Sequence, residues 1–106
     1  MTVRETIQVN DVGTLLTLLM NNGSTVLDDL ASATVRHIIL YKPSGGTPLT
    51  KDAALLTDGT DGYMYYKTEA GDISQTGEWK IQGYVEYADG SAFYSTVEKF
   101  YVYANI

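Results

Sequence analysis

The chain has 106 residues, and 13 acidic against 7 basic side chains give it a formal charge of −6. A field of that sign repels phosphate backbones and anionic lipid, which argues against nucleic acid and membrane surfaces as partners. With 44% apolar residues and no cysteine, the composition argues against a disordered chain, a disulfide scaffold, a thiolate nucleophile and a cysteine-based zinc site. One domain spanning residues 1–106 is expected, burying roughly 65% of its unfolded surface. The polar start MTVRETIQVND does not read as a signal peptide, and Leu15 to Met20 is too short to cross a bilayer, so assembly in a cytoplasm is expected.

Thr2 to Asn10 alternates Val3, Glu5, Ile7 and Val9 with Thr2, Arg4, Thr6 and Gln8, the two-residue period of a first strand. Asp11-Val12-Gly13 interrupts it. In Thr14 to Met20 the four leucines satisfy helical spacing, but Thr14, Thr17 and the short length favour a buried strand. Asn21-Asn22-Gly23 is a turn, and Ser24 to Asp29 can pair back as a short strand before a corner at residues 28–33. Thr34 to Lys42 is rich in β-branched and aromatic residues; Val35, His37, Ile39 and Tyr41 share one face and Arg36, Ile38 and Leu40 the other, so a central strand is expected. Pro43 ends it, and residues 42–48 form a turn. Leu49 to Leu56 is a weaker strand, residues 57–62 a glycine-rich turn, Tyr63 to Glu69 another strand, and residues 70–76 a loop.

The strongest signal lies in Gly77 to Tyr103. Trp79, Ile81, Gly83, Val85 and Tyr87 fall on one face, and Glu78, Lys80, Gln82, Tyr84 and Glu86 on the other. Asp89-Gly90 suits a two-residue hairpin turn. The return through Phe93, Ser95 and Val97 then shifts phase to Phe100 and Val102, which predicts a bulge near Glu98 and Lys99. Seven or eight short strands with glycine-containing turns are expected, the pattern of an all-β antiparallel sandwich.

Catalytic chemistry is hard to assemble from this inventory. The single histidine, His37, falls within a strand, whereas catalytic histidines usually sit where loops converge. Asp28 with Asp29, and Asp58 with Asp61, read as solvated turn residues; a lone calcium ion in the loop from Asp58 to Asp61 stays open, although the spacing lacks the closing glutamate of a calcium loop. No phosphate-binding glycine loop is present, and Asn22-Gly23-Ser24 reads as a turn despite matching a glycosylation sequon. No catalytic, cofactor-binding or metal-binding residue is therefore assigned.

The distinctive feature is tyrosine, nine against two phenylalanines. Eight of the nine, Tyr63, Tyr65, Tyr66, Tyr84, Tyr87, Tyr94, Tyr101 and Tyr103, follow residue 62 on strands expected to be neighbours. Tyr84 opposes the Trp79 face, and Tyr101 and Tyr103 oppose Phe100 and Val102. The surface so formed is either cross-strand packing or a protein contact site, with Tyr65, Tyr84, Tyr94, Tyr101 and Tyr103 as candidate contact residues. A sugar-stacking platform is a weaker third reading, since Trp79 is expected to point inward.

Taken in order, several motifs resemble the small immunoglobulin-like β-sandwiches of tailed-phage structural proteins, similar to the N-terminal domain of the baseplate upper protein. They are Ile7-Gln8-Val9-Asn10-Asp11, Asn22-Gly23, Leu27-Asp28-Asp29-Leu30 with Ala33-Thr34-Val35, Tyr41-Lys42-Pro43-Ser44-Gly45, Gly59-Thr60-Asp61-Gly62 before Tyr63 to Tyr66, Gly71-Asp72-Ile73, Gly77-Glu78-Trp79-Lys80-Ile81-Gln82, and Asp89-Gly90 before Ser95 and Phe100-Tyr101-Val102. The resemblance implies a non-enzymatic virion protein, made in the host bacterial cytoplasm. Such a protein docks onto other virion structural proteins of the tail, baseplate, connector or capsid; decoration of a capsid and a homo-oligomer are both compatible. The alternative is a carbohydrate- or host-receptor-binding module displayed on the virion.

Overall fold

The computed structural model describes residues 7–21, 26–27 and 29–104. Among these lie β1 (Ile7–Gln8), β2 (Leu15–Leu19), β3 (Val35–Tyr41), β4 (Leu49–Asp52), β5 (Ala54–Leu55), β6 (Tyr63–Lys67), β7 (Gly77–Glu86), β8 (Ala92–Tyr94) and β9 (Glu98–Tyr103), with one 3-10 turn at Leu30–Ser32. The larger sheet runs β1-β9-β7-β3-β4, with β8 also paired to β7, and the smaller runs β2-β6-β5. The all-β expectation holds. The strand count is nine among the described residues rather than seven or eight, and β1 lies parallel to β9, so the larger sheet is mixed rather than purely antiparallel. Of the segment Ser24 to Asp29, expected to pair back, Val26, Leu27 and Asp29 are described: Val26 bridges Asn21 and Leu27 N donates to Met20 O at 3.0 Å, without a continuous strand; the turn at Asn22-Gly23, the sequon, Asp28 and the Thr2 to Thr6 part of the first strand lie outside the described residues.

The two sheets face each other across one core. Leu16 and Leu18 of β2 and Met64 of β6 point at Ile38 and Leu40 of β3, Trp79, Ile81 and Val85 of β7, and Phe100 and Val102 of β9, all buried. The layers approach tightly at Gly83, where a Cβ would lie 2.3 Å from Met20 Sδ and 2.8 Å from Leu18 Cδ2. Glycine is required there by space, since its φ is not in the left-handed region. The strand reading of Leu15–Leu19 stands: alternate residues Leu16 and Leu18 are fully buried, as a strand demands.

Three local expectations are corrected. The segment from Leu49 to Leu56 is two strands in different sheets: Thr50 and Lys51 pair with Ile39 and Ile38 of β3, whereas Ala54 and Leu55 pair with Tyr65 and Met64 of β6. The chain changes layer at Ala53, whose N–H still bonds Arg36 O at 2.9 Å, and a sheet change leaves no trace in hydrophobic period. The hairpin turn spans three residues, not two. Tyr87 O accepts from Gly90 N at 3.0 Å, Tyr87 N donates to Ser91 O at 2.8 Å, and only Gly90 takes a positive φ, +92°. That is a turn closed by a left-handed glycine bulge.

The bulge itself comes earlier than Glu98 and Lys99. Tyr84 pairs with Tyr94 and Ile81 with Glu98, so Gln82 and Gly83 face three residues, Ser95 to Val97. Gly83 N donates to the buried Ser95 Oγ at 2.8 Å, Gln82 Nε2 to Ser95 O at 2.9 Å, and Thr96 N leaves the ladder for Asn21 O at 2.8 Å. A serine hydroxyl thus satisfies the backbone donor that the extra residue strands.

Candidate functional site

On the outer face of the larger sheet, the pairings set side chains in rows across the strands. One row crosses four of them: Asp52 of β4, His37 of β3, Tyr84 of β7 and Tyr94 of β8. His37 Nε2 lies 3.4 Å from Asp52 Oδ1, the His37 and Tyr84 rings stack at 6.1 Å, and Tyr84 and Tyr94 sit 4.8 Å apart. Tyr84 OH donates to Glu86 Oε2 at 2.9 Å, and that bond pushes the phenol's pKa up. The next row holds half-buried Ile39 and Gln82, with Tyr41 OH donating to Gln82 Oε1 at 3.1 Å. Beyond it, Lys80 faces Lys99 across β7 and β9, and Tyr101 faces Glu78. The Tyr101 and Tyr103 rings sit 4.8 Å apart, tilted by 51°, and the two residues are 53% and 48% exposed.

Four of the five candidate tyrosines therefore share one face, in two clusters at opposite ends: Tyr84 with Tyr94, and Tyr101 with Tyr103. Tyr65 does not join them. It pairs with Thr17 and Ala54 in the smaller sheet and alternates with buried Met64, so it lies on the opposite outer surface. The expectation that all these tyrosine strands are neighbours is corrected: Tyr63, Tyr65 and Tyr66 belong to the other layer. Trp79 points inward, fully buried, with Nε1 donating to Gln75 O at 3.0 Å.

His37 is the nearest approach to catalytic geometry. With Asp52, Thr34 and Arg36 it borders a depression of about 270 Å³. A triad also needs a nucleophile on the imidazole and a fixed acid behind it. Thr34 Oγ1 donates instead to Glu86 O at 3.1 Å, and the Asp52 side chain is 98% exposed, free of the burial that would hold it in place. In the polar turn, Asp58 Oδ1 accepts Thr60 N at 3.0 Å and Thr60 Oγ1 at 2.6 Å, bonds that lower its pKa. Asp61 accepts Thr57 Oγ1 at 2.8 Å and Tyr63 N at 3.0 Å. These carboxylates shape the turn, and among the described residues no group of three or more histidine, aspartate or glutamate side chains is placed to hold a metal ion.

A buried polar corner escaped sequence reasoning. Lys51 points inward from β4 and lies 3.2 Å from Asp72 Oδ1, with its ammonium 5.9 Å from the centre of the Tyr66 ring. Asp72 Oδ2 accepts from Tyr66 OH and from Glu69 N, the latter at 2.8 Å. Burial alone would raise the Asp72 pKa, but the bonds from Tyr66, Glu69 and Lys51 outweigh it and lower it; burial and the same carboxylate push Tyr66 up. A lysine inside an alternating strand was the one available signal. The second hollow on the larger sheet, about 480 Å³, is bordered by Tyr41, Lys42, Pro43, Gly45, Glu78 and Lys80. No known family profile matches the chain, and no curated protein matches it.

Proposed function

We propose that this chain is a bacteriophage virion structural protein: a non-enzymatic, immunoglobulin-like β-sandwich that docks onto other virion proteins of the tail, baseplate, connector or capsid. The observation that carries the contact role is the outer face of the larger sheet, which Tyr84, Tyr94, Tyr101 and Tyr103 share with half-buried Ile39 and Val35. Large aromatic area with polar tips is what contact surfaces use, and apolar residues on an outer face are out of place for water alone. The strand order supports the immunoglobulin-like reading, since the last strand is flanked by the first on one side and by β7 on the other, and the chain changes sheets between β4 and β5. The phage assignment rests on the motif resemblance. Its turn motifs fall outside strands at Lys42 to Gly45 and Gly59 to Gly62, and its Gly77 to Gln82 motif falls in β7.

Mass spectrometry of purified particles, with stoichiometry, tests the assignment. The chain is expected at a fixed copy number, and Tyr84→Ala or Tyr101→Ala to lower its incorporation. Absence from particles would end the reading. A glycan-binding role is favoured less, because both ends of the Gln82 amide are held by Tyr41 and Ser95. Glycan-array binding lost on changing Tyr41 would reverse that preference.

A further inference from the structure

The hollow of about 480 Å³ at one end of the larger sheet's outer face is built by the fold, and its charge sets it apart. Tyr41 is held by its bond to Gln82, and Pro43 packs where a Cβ on Gly77 would come within 3.1 Å. Gly45 N donates to Lys42 O at 3.0 Å and Ser44 N to Gln75 Oε1 at 3.3 Å, so the turn after β3 is tied to the segment leading into β7. Most basic groups among the described residues are already engaged: Lys51 by Asp72, Lys99 by Glu78, His37 by Asp52, and Arg36 Nη1 by two backbone carbonyls. Lys42 and Lys80 have no carboxylate within ion-pair distance among the described residues, and both line this hollow. Lys80 also stands directly opposite Lys99, where like charges repel.

We infer that this hollow is where an acidic peptide segment of a partner protein docks, with a carboxylate set between Lys42 and Lys80 and its aliphatic stem against Tyr41 and Pro43. Glu78 lies in the same patch, but Lys99 at 3.9 Å engages it, so three lysines face one carboxylate. Glu98, beside Lys99 in sequence, pairs with inward-facing Ile81 and takes the other side of the sheet. Glu86 is six residues along β7 from Lys80, roughly 20 Å at the rise of a strand. Charges that far apart are screened over a Debye length of about 8 Å, so the local lysines outweigh the chain's acidic surplus. A run of phosphates crossing the sheet would reach Glu86 and Asp52, whereas a short acidic segment meets only the lysine end.

This rests on reading the face as a contact surface and names the partner's chemistry at one end of it. Acetylated tetraglutamate is the probe, titrated into the purified full chain and followed by amide chemical shifts. Saturable changes are expected at Lys42, Gly45 and Lys80, with binding that weakens as salt is added. Lys42→Gln and Lys80→Gln should each weaken it roughly threefold and the two together roughly tenfold, while Lys67→Gln, at an exposed lysine of β6, leaves it unchanged. If the double variant fails to fold, the single changes and the salt dependence of the unmodified chain decide the matter. Shifts confined elsewhere, no saturation, binding indifferent to both lysine changes, or inorganic phosphate binding more tightly than tetraglutamate would overturn the inference. Particles that take up the Lys42→Gln/Lys80→Gln chain at full copy number sink only this inference; absence of the unmodified chain from particles, with tetraglutamate still bound, sinks only the virion assignment.

Discussion

A tyrosine beside a carboxylate and a basic group occurs twice in this molecule. At the corner between layers, Tyr66 and Lys51 are gathered around Asp72, whose side chain is 7% exposed; on the outer face, His37 reaches Asp52, whose side chain is 98% exposed, while its stacked neighbour Tyr84 bonds Glu86. In the corner, β4, β6 and the loop before β7 are joined where β4 leaves the larger sheet, so the network closes one side of the core. Removing Asp72 would take the acceptor from Tyr66 OH, Glu69 N and Lys51 at once. On the outer face, water competes for every partner, the ion pair adds little, and the groups stay available to a protein surface. Burial, and not residue type, decides which set is a staple and which stays open to solvent.

The comparison breaks first at Asp72. Asp72→Ala is expected to lower unfolding free energy by about 3 kcal/mol in denaturant titration, because Tyr66 and Lys51 lose their common acceptor. A loss no larger than that of Asp52→Ala would erase the distinction. Next comes Gly83→Ala, expected to cost about 2 kcal/mol as Leu18 and Met20 give way to the added methyl; an unchanged midpoint would mean the layers are less tightly apposed. A smaller effect is the acid limb. With its folded pKa below the ordinary 3.8, Asp72 contributes stability that is fully present above the unfolded value and lost as pH falls through the folded one. Wild type should therefore lose stability below about pH 4 more steeply than Asp72→Asn; superimposable acid limbs would contradict this. The smallest effect is expected outside: Asp52→Ala and Tyr101→Ala should leave the melting temperature within about 2 °C of wild type, and under the proposed virion role Tyr101→Ala is expected to lower particle incorporation.

Much of the fold was legible because burial repeats along a strand. Trp79, Ile81 and Val85 inward against Lys80, Gln82 and Tyr84 outward followed from alternation alone, and so did Tyr101 and Tyr103 outside Phe100 and Val102. The extra residue in the returning strand was visible as a phase slip. Its place was not, because Ser95 is polar yet buried and carries a backbone hydrogen bond, so hydrophobicity misplaced it by a few positions. Tyr65 was grouped with the wrong surface because periodicity says which side of a strand a residue takes, not which sheet the strand joins.

The order of residues by itself determined an all-β chain, its inward and outward faces, and a wealth of outward tyrosine, since these depend on local period and turn chemistry. Only the tertiary structure decided that Leu49 to Leu55 serves two sheets, that Asp72 and Lys51 meet, and that Tyr84 and Tyr94 stand together while Tyr65 stands apart. Those facts depend on which strands pair across long stretches of chain, and pairing is settled by the packing of the whole core.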